Sequence, residues 1–205
     1  MKRKSPLENR CAPDGGLHAV AARGLLMGNR GGRLHRPDGT LGAARWRSRA
    51  WIACRLEFRG WQRRVWGDGY SEIFFLDEAT ALAAGHRPCF TCRRAEARAF
   101  AAAWGRAAGS PPSAPDMDLA LHAERLGSRD RLPAADLPAG AIFLDGGGFF
   151  LRCAHAQRRW SFDGYGPEAP IAAGCVEAVT PASVRAAISA GYRPGVHPSA
   201  QFSAR

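Results

Sequence analysis

The stretch Ser71–Arg94, SEIFFLDEATALAAGHRPCFTCRR, carries the densest run of local signals in the chain. SEIFFL (Ser71–Leu76) is a short apolar run preceded by the turn residues Gly67, Asp68 and Gly69, and it reads as a strand. Asp77 then stands where an N-cap carboxylate takes up the free N–H groups of a helix, expected over Glu78–Ala84. Gly85 supplies the left-handed residue that ends such a helix, and Pro88 forbids its continuation. Residues Arg93 to Trp104 are again helical in composition, so Cys89 and Cys92 fall in a turn between two helices with the spacing C-x-x-C. Two thiolates at this spacing clasp one Zn²⁺ while backbone amides of the turn support the sulfurs. The N-terminal dipole of the following helix favours thiolate as well. A redox dithiol is the competing reading, but it expects a strand directly before the motif, where this chain has a helix, a glycine cap and a proline. The pair is therefore predicted to hold a structural zinc ion, with two further ligands supplied from elsewhere.

The same stretch resembles the second half of the Ada-type metal-binding domain, the zinc domain of the bacterial adaptive-response DNA repair protein. The likeness runs through Phe74 and Phe75 in the strand, Ala83 to Gly85 at the helix end, His86 in a slot that is aromatic in the family, and then Arg87, Pro88, Cys89 and Cys92. It implies zinc binding by Cys89 and Cys92, and contact with DNA. The family's earlier cysteine pair has no counterpart, because Trp61 to Tyr70 contains neither Cys nor His. The family's alkyl-acceptor cysteine belongs to that missing pair, so phosphotriester repair is not implied.

The third ligand is assigned to Cys54, in WIACRLEF (Trp51–Phe58), a strand expected to run beside SEIFFL and reach the same end. For the fourth, His35 follows the glycine-rich LLMGNRGGRLHRPD (Leu25–Asp38) and His86 is close in sequence; both stand as candidates. Cys11, Cys153 and Cys175 are read as incidental.

Working outward, residues 1–24 look like a loose tail, 25–108 like the zinc-binding module, 109–136 like a Pro- and Ser-rich linker with a short helix, and 137–205 like a smaller β-rich part with a terminal helix. Val65 and Trp66 read as a further strand, AIFLDGGGFFLRC as a hairpin around Gly146–Gly148, and WSFDGYGPEAP as a turn-rich loop. TPASVRAAISAGYRP is a capped helix from Thr180 to Gly191, and its end SAGYRPGV echoes AAGHRPCF, as a helix stop used twice. The fold expected is α+β.

The chain has 205 residues, is 46% hydrophobic, and has no apolar run near the ~20 residues of a membrane helix. Its opening, MKRKSPLENRCAPDGG, is basic without the apolar core of a secretory signal, and the location expected is cytoplasmic. The net charge is +11, which suits a polyanionic partner, DNA or RNA, and no membrane. Lysine occurs only as Lys2 and Lys4, so a GC-rich codon bias is an alternative source of the charge; it would scatter arginine over the whole surface. The nucleic-acid-binding residues expected are Arg63 and Arg64, with Arg93 and Arg94 at the start of the helix after the zinc turn. Trp46, Trp51, Trp61 and Trp66 interleave with arginines, a pattern that stacks bases or, equally, lines a core.

MDLALHAERL (Met117–Leu126) places Asp118 and His122 at i and i+4 on one helix face, where a carboxylate raises the basicity of an imidazole. The plainer reading is a local ion pair. No Walker loop, dinucleotide fingerprint, Gly-x-Ser-x-Gly elbow or His-Glu-x-x-His motif is present. The primary expectation is a zinc-binding protein associated with nucleic acid, in DNA binding, repair or regulation. A metal-dependent or His/Asp-dependent hydrolase or nuclease is the second, and a zinc-stapled interaction module without catalysis the third.

Overall fold

The computed structural model describes residues 6–60 and 64–201. Among them the chain forms an α+β fold of two six-stranded sheets and four α-helices. The first sheet holds β1 (Arg10–Cys11), β2 (Leu17–His18), β3 (Leu26–Asn29), β4 (Ile52–Arg55), β5 (Ile73–Phe75) and β6 (Arg87–Pro88), in the order β2-β1-β5-β3-β4-β6. β1–β5 and β4–β6 pair in parallel; the other neighbours are antiparallel. The helices are α1 (Glu78–Ala83), α2 (Arg94–Ala108), α3 (Ala114–Leu126) and α4 (Ala182–Ser189). The second sheet is wholly antiparallel: β7 (Arg131–Pro133), β8 (Ile142–Asp145), β9 (Gly148–Arg152), β10 (Gln157–Ser161), β11 (Gly164–Ala169) and β12 (Cys175–Ala178), in the order β11-β10-β9-β8-β12-β7.

The short helix α1 is the hub, and all six of its residues are buried. Asp77 caps it as expected, one carboxylate oxygen accepting from the Thr80 N–H at 2.8 Å and the Thr80 hydroxyl at 2.7 Å. The other oxygen accepts from the Tyr165 hydroxyl at 2.8 Å and the His197 N–H at 2.9 Å, so the cap also bolts α1 to β11 and to the C-terminal segment. Trp160 on β10 donates to the Thr80 hydroxyl at 3.0 Å. In one core cluster, Leu76, Ala79 and Ala83 join Ile142, Leu151, Trp160 and Tyr165 of the second sheet. Another cluster joins Leu82 to Phe100, Trp104, Met117, Leu121, Val184 and Ile188, drawn from α2, α3 and α4.

The two echoing segments are the same device in space. The Gly85 N–H donates to Leu82 O and the His86 N–H to Ala81 O; the Gly191 N–H donates to Ile188 O and the Tyr192 N–H to Ala187 O. Gly85 (φ 75°) and Gly191 (φ 103°) occupy the left-handed position of this Schellman closure. The Gly146–Gly147 turn (φ 51° and 74°) gives the hairpin read at β8–β9.

Several expectations are corrected. The segment expected as a loose tail supplies β1 and β2, and Cys11, Ala12 and Pro13 are buried. These strands are two residues each, too short for an alternating pattern to show. Trp66 lies in a turn at φ 56°, its backbone N–H on the Glu72 carboxylate and its indole N–H on Glu72 O, so Val65–Trp66 is not a strand. WSFDGYGPEAP forms most of the β10–β11 hairpin. The helix of the linker region begins earlier than expected: Ser113 and Asp116 make a reciprocal capping box, and Pro115 sits in the first turn. β7 extends the second sheet into that same region. No helix of the described residues is long and apolar enough to cross a membrane.

Candidate metal centre

Cys54, on β4, lies opposite Met27 of β3. The pairing expected between its strand and Ser71–Leu76 is interrupted, because β3 lies between β4 and β5. The other edge of β4 brings the cysteines together. β4 and β6 run parallel, with Ile52 beside Arg87 and Ala53 beside Pro88, and the Cys89 N–H continues the ladder onto Ala53 O at 3.0 Å. The chain then turns tightly, the Arg93 N–H bonding Cys89 O at 3.0 Å, which swings Cys92 back toward β4. The ligand atoms of Cys54, Cys89 and Cys92 all lie within 4.8 Å of one another. Cys54 and Cys89 are buried and Cys92 is half-buried.

The surroundings suit sulfur that carries negative charge. The Arg55 N–H points at Cys92 Sγ and the Thr91 N–H at Cys89 Sγ, each at 3.4 Å. The three thiols differ in how readily they carry that charge. The bond donated by the Cys54 thiol, aided by the N–H groups of Cys92 and Thr91, pulls Cys89 down to about 4. Its partner Cys54 is pushed up by that same bond and by burial, and burial also raises Cys92. Three soft thiolate donors converging with N–H support form a set that fits a thiophilic divalent metal.

Among the described residues no fourth His, Cys, Asp or Glu joins this cluster. The undescribed residues, 1–5, 61–63 and 202–205, contain none of those four types. Both histidines considered for the fourth position are committed elsewhere. His35 stacks on Trp66 with ring centroids 5.2 Å apart, its Nδ1 on the Ser71 hydroxyl at 2.6 Å and its Nε2 on Gly67 O at 3.0 Å. His86 is wholly buried between Trp51 and Phe75, and its Nε2 accepts from Arg30 Nε at 3.3 Å. Burial, then the charges of Arg30 and Arg125, hold its pKa well below the usual range, so the imidazole is neutral.

The helical dyad is also redirected. Asp118 faces Arg87, not His122: both carboxylate oxygens accept from the guanidinium at 2.8 Å, and the pair is buried. His122 sits edge-on to Trp46 at 5.6 Å, with Arg125 3.4 Å from its Nδ1. Desolvation, then the charges of Arg125 and Arg49, lowers its pKa, opposite to the shift a carboxylate partner produces.

Of the arginines expected to meet nucleic acid, Arg64 and Arg94 are exposed, and Arg63 lies outside the described residues, as does Trp61. Arg93 is withdrawn from that role. Its guanidinium is buried on Glu78 at 2.8 Å, and the same carboxylate accepts from the Tyr192 hydroxyl at 2.6 Å and the Gly195 N–H at 2.9 Å. Glu78 lies one residue beyond the cap of α1, and nothing in the local pattern marks it as the partner of a basic residue beside the C-x-x-C. Trp51 and Trp66 are core; Trp46 is exposed.

No known protein family, no curated protein and no solved structure matches the chain, so the likeness to the Ada-type domain rests on the residues quoted for it alone.

Proposed function

We propose that Cys54, Cys89 and Cys92 hold a zinc ion that staples the first sheet to the start of α2, and that the protein uses the basic loops rooted at this staple to bind nucleic acid. Zinc is preferred because a third thiol, Cys54, joins the C-x-x-C pair, and three thiolates with N–H support are the donor set of a Lewis-acidic, redox-silent ion; the strand β6 does stand directly before the motif, so the preference rests on the third cysteine and not on the absence of a strand. The fourth position falls to water or to a group brought by a ligand. When bound, the ion supplies a fixed charge and a rigid cross-link between β4 and the turn after β6.

The observation that carries the nucleic-acid reading is where the charge sits. Residues 30–64 contain ten arginines against two carboxylates, Asp38 and Glu57, which places most of the chain's net +11 in the two loops that flank β4. Arg33, Arg36, Arg45, Arg47, Arg49, Arg55, Arg59 and Arg64 are all exposed. Codon bias alone spreads arginine evenly and gives no such concentration. Arg55 follows Cys54 directly and lends its N–H to Cys92, so order at the cysteines is transmitted to the basic loop. Guanidiniums on this surface pair with phosphate oxygens, and exposed Trp46 offers a ring to an unstacked base.

Such binding is dominated by counterion release. If about six phosphates are neutralised, the logarithm of affinity falls with the logarithm of salt at a slope near −5 for duplex DNA and near −4 for single strands. A titration with duplex DNA, single-stranded DNA and RNA at two salt concentrations tests this. Charge reversal by Arg64→Glu with Arg94→Glu is expected to weaken binding to every sequence alike, since phosphate contacts carry no sequence information. Reversal at the remote Arg131 is expected to have little effect. Absence of binding at low salt, or equal loss from Arg131→Glu, removes the nucleic-acid reading.

A further inference from the structure

The C-x-x-C of this chain lies between a strand and a helix, the setting of a reactive dithiol. The helix, glycine cap and proline expected ahead of it are present, but β6 (Arg87–Pro88) is interposed, with Pro88 as its last residue. β6 runs parallel to β4 and leads straight into Cys89. A tight turn follows, closed by the Arg93 N–H on Cys89 O at 3.0 Å, and α2 starts at Arg94.

Three observations on the sulfurs bear on what this dithiol does. The ligand atoms of Cys54, Cys89 and Cys92 lie within 4.8 Å of one another. A sulfur–sulfur bond of about 2 Å therefore needs a closing movement of less than about 3 Å. Cys92 is half-buried where Cys54 and Cys89 are buried, so it is the thiol that a dissolved oxidant meets first. The Thr91 N–H stands 3.4 Å from Cys89 Sγ and the Arg55 N–H 3.4 Å from Cys92 Sγ, donors that support sulfur as thiolate, the form that reacts.

We infer that Cys89 and Cys92 are a redox-active dithiol, that their disulfide and the zinc ion are alternative states of one three-cysteine cluster, and that the oxidant is a hydroperoxide. The inference rests on the reading of the three cysteines as a metal site. In the first step the Cys92 thiolate attacks one oxygen of hydrogen peroxide. An S–O bond forms, the O–O bond breaks, and hydroxide leaves a sulfenic acid behind. In the second step the Cys89 thiolate attacks that sulfur. The S–S bond forms, the S–O bond breaks, and a second hydroxide leaves. Two electrons pass from the two sulfurs to the peroxide, and two protons from solvent turn the hydroxides into water. Zinc keeps its charge throughout. Cys54 alone is too few donors to hold it, so the ion is released and the cross-link between β4 and the turn after β6 is lost. A thiol reductant reverses the change by thiol–disulfide exchange, after which zinc rebinds.

The test is to treat full-length, zinc-loaded protein with hydrogen peroxide. A chromophoric chelator reads the zinc released, and alkylation under denaturing conditions with peptide mass spectrometry locates the disulfide. About one zinc is expected for each Cys89–Cys92 disulfide formed, with both changes reversed by a thiol reductant and added zinc. Cys54→Ser is expected to form the same disulfide with little zinc to release, which separates the dithiol from the metal. The exposed Cys175 serves as a gauge of the dose of oxidant. Zinc retained and both cysteines still reduced once Cys175 is oxidised overturns the inference and leaves the metal reading standing. Zinc loss without a disulfide overturns it too, as does a disulfide to Cys54 in place of the C-x-x-C pair, or a Cys54→Ser protein whose pair stays reduced. Protein that takes up no zinc at the outset overturns the metal reading, and the alternation falls with it.

Discussion

Replacing Asp118 by alanine separates two accounts of α3, as a bearer of catalytic groups or as the brace of the metal turn. In the structure its carboxylate holds Arg87 by two parallel bonds of 2.8 Å, with side chains 8% and 12% exposed for the arginine and the aspartate. An exposed pair of this kind contributes about 0–1 kcal/mol. Removing one partner of a buried pair leaves an uncompensated charge, which costs about 3–5 kcal/mol. For a chain of this size each kcal/mol moves the melting temperature by about 2–4 °C, so Asp118→Ala is expected to melt roughly 6–20 °C lower. His122→Ala, which loses an edge contact with Trp46 and a long contact with Arg125, is expected to cost about 1 kcal/mol or less. Arg87 lies on β6, two residues before Cys89, so the destabilised variant is also expected to hold metal less tightly. Urea unfolding of the single variants and of the apolar double variant Arg87→Met, Asp118→Leu measures the coupling; the double variant is expected to recover much of the loss. Equal, small effects of Asp118→Ala and His122→Ala would refute the bracing role of this pair.

Other consequences follow from the hub and the buried imidazole. Asp77→Ala removes the α1 cap and leaves the Tyr165 hydroxyl and the His197 N–H without their acceptor, so a loss above about 3 kcal/mol is expected in urea unfolding, with Asp77→Asn milder. His86 has its folded pKa depressed, so the unfolded state binds the extra proton; the stability from this residue is full above about pH 6.5 and falls by about 1.4 kcal/mol per pH unit below it. Ring NMR shifts are expected to show His86 still neutral at pH 5, and an ordinary titration near pH 6.5 would contradict its place between Arg30, Trp51 and Phe75.

The parts of this fold that were legible in the sequence are those whose chemistry is local. Asp77, Gly85, Gly191 and the Gly146–Gly147 turn each act within a few residues of themselves, and each does in space what its type dictates. The C-x-x-C is local too, and Cys54 was reachable because few cysteines compete for the role. Partnerships between distant side chains were not legible. Arginine has one appearance in a sequence whether it is solvated, as Arg94 is, or buried on Glu78, as Arg93 is. Asp118 shares a helix face with His122, but the reach and charge of Arg87 outweigh that spacing. The strands β1 and β2 carry no period because they are two residues long, and their place depends on the Asn9 carbonyl meeting the Phe74 N–H. The two guanidiniums stacked on Trp51 leave no mark in the sequence, because Arg30 and Arg125 stand 95 positions apart.

The central claim is that three cysteines from β4 and the turn before α2 form one metal site. Its most direct test is the metal content of purified protein by elemental analysis, in wild type and in Cys54→Ser, Cys89→Ser, Cys92→Ser, Cys153→Ser and Cys175→Ser. The account predicts about one zinc per wild-type chain, loss of most of it and a lower melting temperature in each of the first three variants, and no change in the last two. Wild-type protein free of metal after expression with zinc, or a full zinc complement retained in Cys54→Ser and Cys89→Ser, would contradict it.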